Sequence, residues 1–221
     1  MGTVTIAATY GAGGSVVAPA VADRLGLPLV DRAIPLALAH DLAGGPLSAS
    51  LADDEQREPG LVARALRRAV DMSGLFVGVP IPEDQLGGDD RVAVTEEALR
   101  RTADLGGAVV LGRAGVFVLR GRADTLHVRL DGPPAARCRQ AVAHEGIDVR
   151  TAGVQQREAD RARAAYIRQF YPRERWEDPA NYHLVIDSTA ISLEACVDLI
   201  AAAASDLFAR AANEERPTAR A

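Results

Sequence analysis

The spacing of hydrophobic positions along this chain changes period several times. Val4 to Ala8 is a short β-prone run; after a glycine cluster, Val16, Val17, Ala20, Val21 and Leu25 recur at the spacing of one helix face. The opening therefore predicts strand, loop, helix. Leu27 to Val30 predicts a second short strand, closed by Asp31 and Arg32 and followed by a helical stretch through about Asp41. Residues 42–60 and 76–90 are rich in Gly, Pro and acidic residues and bracket a predicted helix, Leu61–Ser73. This region reads as an excursion over the sheet.

Alternation resumes with a predicted helix over Arg91–Leu105, and AVVL (Ala108–Leu111) and TLHVRL (Thr125–Leu130) predict buried parallel strands. Helices are predicted over Pro134–His144 and Thr151–Phe170, then a fifth strand at HLVID (His183–Asp187) and a last helix over Leu193–Ala211. Five strands with intervening helices imply one parallel α/β domain over residues 1–211, with residues 212–221 a polar tail. There is no internal repeat.

The glycine cluster, Tyr10-Gly-Ala-Gly-Gly-Ser15, falls between the first strand and the first helix, where backbone N–H groups and a helix N-terminus can converge on an anion. Missing Cβ atoms let phosphate approach the backbone, and Ser15 can either cap the helix or offer its hydroxyl. The same loop could also serve only as a tight turn. Pro19 lacks an N–H, so the helix either starts near Ser15 or tolerates a weakened turn. A full Walker A pattern is absent, because its Lys and Ser/Thr positions carry neither.

Composition narrows the partners. A formal charge of −5 and a pI near 5.4 argue against broad attraction to nucleic acid or an anionic membrane. All 25 basic residues are arginine, which fits compositional bias as easily as selection for planar phosphate-binding groups. Cys138 and Cys196, far apart in predicted helices, read as buried, reduced thiols rather than half of a metal site. No leader, lipid-anchor motif or membrane-length apolar run is evident, so a cytoplasmic protein is expected. His40, His127, His144 and His183 form no spaced cluster and read as structural.

The string VTIAATYGAGGSVVAPAVADRLGLPLVDR resembles the opening of the cytidylate kinase-like family. VVLGRAG (Val109–Gly115), LHVRLDGPPAARCRQAVAHEG (Leu126–Gly146) and DRARAAYIRQFYPRERWEDPANYHLVIDS (Asp160–Ser188) match in the same order. The resemblance implies a P-loop NTPase-type three-layer α/β/α fold, with an acceptor-side insertion at about 32–105 and a lid-like region at about 146–180. It implies ATP with Mg2+ as donor and a nucleoside monophosphate, CMP or dCMP first, as acceptor. Gly14 stands where true cytidylate kinases carry the phosphate-binding lysine, and Val16 where they carry a magnesium-binding hydroxyl. Ala8 and Thr9 replace the charged pair that family members commonly place before the Tyr-Gly.

On this resemblance Gly11, Ala12, Gly13, Gly14, Ser15 and Val16 form the donor-phosphate loop, with Arg137 beside the donor, on adenine or on acidic neighbours. Arg113 is expected at the acceptor phosphate, the alternative being an ordinary ion pair. Asp31 is expected at acceptor or hydrated magnesium, or as a helix cap, with Arg32 beside it. Arg150, Arg157, Arg161 and Arg168 fall near one another on a helical wheel, a basic stripe that either closes over transferring phosphates or is simply a solvated face. From that region Arg157, Arg161 and Arg163 are expected to clamp transferring phosphates and Asp160 to contact substrate. Two other functions fit the same residues: a nucleotide-sensing pseudokinase, motivated by Gly14, Val16, Ala8 and Thr9, and a kinase for another small metabolite, motivated by residues 42–90.

Overall fold

In this computed structural model, residues 2–31, 88–112 and 114–214 are described. The helices predicted after Asp31 and over 61–73, the loops at 42–60 and 76–87, and most of the C-terminal tail lie outside them. The strands are β1 (Thr3–Ala8), β2 (Leu29–Asp31), β3 (Val109–Leu111), β4 (Thr125–Asp131) and β5 (Leu184–Asp187). They form one all-parallel sheet in the order β2-β3-β1-β4-β5. The helices are α1 (Gly14–Leu25), α2 (Gly88–Asp104), the one-turn α3 (Gly115–Val118), α4 (Pro134–Glu145), α5 (Val149–Phe170) and α6 (Leu193–Glu214). The last extends past Ala211, so the first residues of the predicted tail are helical.

Strand pairing sorts side chains by face. Val4, Ile6, Val109, Leu126, Val128, Leu130 and Ile186 share one face with Val17 and Val21 of α1 and Val197 and Ile200 of α6 in the main core. The opposite face packs on α2, α3 and α5 through Ala7, Val116, Tyr166, Ile167 and Trp176. The result is a three-layer α/β/α arrangement. A strand buried on both faces should be almost wholly apolar. β4 departs from that, because Thr125, His127 and Arg129 are buried on its second face. They are satisfied in part: Thr5 Oγ1 meets His127 Nδ1 at 2.7 Å, and Arg129 donates to the Glu177 carbonyl at 2.6 Å and to Asp131, whereas His127 Nε2 and Arg129 Nε are buried without a hydrogen-bond partner among the described residues.

Helix ends follow chain chemistry. α1 stops at Gly26, whose φ of 64° lets its N–H turn back onto the Ala22 and Asp23 carbonyls. Pro19 lies inside α1, beyond its first turn, so the helix keeps a weakened turn there. Asp148 caps α5 through the Arg150 and Thr151 amides. Cys196 is buried as expected, whereas Cys138 is only half-buried: Cys138 lies on α4, most of whose length is exposed or half-buried. No described helix is long and apolar enough to cross a membrane.

Candidate functional site

The glycine-rich loop leaves the C-terminal end of β1, flanked by the ends of β3 and β4. Gly11 and Gly13 have φ of 76° and 75°, a region where L side chains are strained. Neighbours close the same positions: a Cβ on Gly11 would meet the Arg137 carbonyl oxygen at 2.2 Å, and one on Gly13 the Leu193 side chain at 2.6 Å. Gly14 is excluded from carrying a side chain for another reason, because its Cβ would lie 2.6 Å from that of Ala8 and 3.2 Å from Leu111 Cδ1.

The loop carbonyls are held from outside. Arg137 Nη1 donates to Tyr10 O at 2.8 Å, Gln140 Nε2 to Gly11 O at 3.1 Å, and Ser188 Oγ to Ala12 O at 2.8 Å. Thr9 O accepts from the Ala12 amide at 3.0 Å, and Gly13 O from the Val16 and Val17 amides. Among the described residues, the N–H groups of Gly11, Gly13, Gly14 and Ser15 have no protein acceptor. A loop with engaged carbonyls and unspent amides, opening a helix, is suited to an anion. Gly13 is the N-cap of α1, with no side-chain cap. Ser15 is therefore not the cap; it and Val16 are exposed.

A charged ring lies beside the loop. Asp131, at the end of β4, accepts from Thr9 Oγ1 at 2.9 Å and from Arg129, and lies 3.6 Å from Arg137. Arg137 also approaches Asp160 of α5 at 3.8 Å, and Arg163 donates to Asp160 at 2.9 Å. Trp176 closes the ring, with Arg163 4.3 Å and Arg129 4.6 Å from its ring centroid. Among these residues three guanidiniums converge on two carboxylates. Asp187, at the end of β5, is held below the usual carboxylate range by the Thr189 hydroxyl and amide.

The expected site residues fall in several places. Gly11 to Val16 form the loop, and Arg137, Asp160 and Arg163 meet in the ring. Arg137 is only 5% exposed and is engaged by protein groups, including the Gly132 carbonyl at 2.9 Å. Arg157 and Arg161 lie exposed one turn apart on α5, whereas Arg163 turns inward, so the three do not share a face. Asp31 ends β2 opposite Leu111; Arg32 and Arg113 lie outside the described residues. The sequence reading passed over Asp131, Gln140, Ser188, Arg129 and Trp176. A charged pair alternating into a buried strand, and a lone Trp within Arg-Glu-Arg-Trp-Glu-Asp, were the available signals.

The family model of the cytidylate kinase-like family matches residues 3–190. The chain belongs to the cytidylate kinase-like family. A crystal structure of an uncharacterised protein from Eubacterium ventriosum is similar at TM-score 0.61 and 17% identity, covering 93% of this chain and 99% of that one. An unliganded sugar kinase from a Janibacter species is similar at TM-score 0.50 and 20% identity, covering 96% and 98%. These likenesses support the P-loop kinase fold. No curated protein matches significantly. In this chain's loop Gly14 packs against Ala8.

Proposed function

We propose that the chain transfers the γ-phosphoryl group of ATP to a nucleoside monophosphate, with CMP and dCMP the first acceptors to test. The observation carrying this reading is the loop at 11–15, with four N–H groups that have no acceptor among the described residues and its carbonyls engaged elsewhere. An acceptor phosphate oxygen attacks the γ-phosphorus, the bond to the β,γ-bridging oxygen breaks, and ADP leaves; catalysis rests on positioning and charge. The loop amides hold donor phosphates, Arg113 and Asp31 with Arg32 position the acceptor, and Arg157 and Arg161 offset developing charge, with Arg163 held inward beside Asp160.

Magnesium would be held mainly by the donor phosphates and water, the usual arrangement for this ion in phosphoryl transfer, with Asp31 the carboxylate proposed to meet its hydration shell. The proposed partners are small-molecule nucleotides. One contact favours a second reading, a nucleotide sensor without turnover: Ala8 fills the space that a side chain at position 14 would need. A coupled ADP-release assay across nucleoside monophosphates, paired with calorimetric titration of ATP–magnesium and CMP, separates the two. Acceptor-dependent release that disappears in Arg113→Ala supports transfer. Tight binding without release moves the conclusion to the sensor, and absence of both overturns nucleotide recognition.

A further inference from the structure

We propose that Arg137 is a positioning residue that fixes the phosphate loop and ties its geometry to α5, rather than a contact to the donor. Nε donates to Gly132 O at 2.9 Å, Nη1 donates to Tyr10 O at 2.8 Å, and Nη2 lies 3.8 Å from Asp160. With the side chain buried, the guanidinium presents little surface to a ligand. Its own carbonyl faces Gly11, 2.2 Å from where a Cβ would be. The residue therefore fixes the loop twice, by a charge-assisted hydrogen bond to Tyr10 and by backbone contact at Gly11.

The same residue reaches α5, and the loop makes a second link there: the Tyr10 hydroxyl bonds Gln155 of α5, with Glu145 of α4 2.8 Å away. Loop and α5 are thus joined at Arg137–Asp160 and Tyr10–Gln155, so a shift of α5 changes the groups that hold the loop carbonyls. Ligand contacts made by α5 would then alter donor affinity without touching the donor. A lysine cannot substitute, because Gly132 O and Tyr10 O require two donors in the fixed fork of a guanidinium.

The inference rests on the nucleotide-binding reading for its consequence, and its test separates the two. Amide hydrogen exchange on the ligand-free chain follows the bonded loop amides of Thr9, Ala12, Val16 and Val17, with Val4 and Val128 as core references. Losing a charge-assisted bond should speed loop exchange about tenfold or more in Arg137→Met while the references hold. Arg137→Lys should resemble Met, and Asp160→Asn should shift the loop in the same direction to a smaller extent. Unchanged loop exchange in Arg137→Met, or full rescue by Lys, overturns the proposal. If Arg137→Met does not fold, the Lys and Asp160→Asn variants decide it. Titration with ATP–magnesium should show about tenfold weaker binding in Arg137→Met. Failure of the unmodified chain to bind ATP overturns the kinase reading, while the exchange result still decides the role of Arg137.

Discussion

At the scale of single residues, the Gly14–Ala8 contact and His127 make opposite kinds of demand. Gly14→Ala brings two Cβ atoms to 2.6 Å and should destabilise the fold by about 1–3 kcal/mol, the usual penalty of overpacking. Ala8→Gly in the same chain should recover most of that loss, which a double-mutant cycle in urea measures. His127 is constrained electrostatically. Burial, then the neighbouring His183 and Arg120 charges, push its imidazole down to about 4 from an ordinary value near 6.5. Its unfolded form binds the proton more readily, so its contribution is full above pH 6.5 and is lost as pH falls toward 4. The loss should reach about 3 kcal/mol at most. Urea melts at pH 7.5 and 4.5 should show it, and His127→Gln should flatten the difference.

At the scale of elements, β4 and α5 show what the sequence could and could not reveal. Both were legible as elements, β4 from its β-prone residues and α5 from its helical run. The parallel sheet follows from five strands separated by helices and the three-layer fold from the family resemblance, whereas the strand order is a finding of the structure. The ring was not legible, because it joins residues far apart in sequence that only the fold brings together. Arg163 illustrates the point. On a helical wheel it is one more arginine in a basic segment, yet it is turned inward by Asp160 and Trp176 while Arg157 and Arg161 stay exposed. Trp176→Ala should cost about 3–5 kcal/mol in urea unfolding, as for large buried aromatics, and Trp176→Phe should cost less by retaining a ring face for Arg129 and Arg163.

At the scale of the whole molecule, the proposed function makes the loop, the ends of β1, β4 and β5, and α5 one support for an anion, so ligand binding should register in global stability. At a hundredfold excess over its dissociation constant, ATP should add about 2.7 kcal/mol, or roughly 5–11 °C in melting temperature for a chain of this size. Scanning fluorimetry with ATP–magnesium and with inorganic phosphate measures it; no shift with either would count against the loop as an anion site. The Ala8–Gly14 contact also bears on how such a protein can change over generations. A lysine at position 14 would collide with Ala8, and Ala8→Gly alone would remove packing without adding a phosphate contact. Neither step is rewarded by itself, so the lysine-free loop is entrenched, and improvement in phosphate handling is easier to reach through arginines elsewhere in the chain.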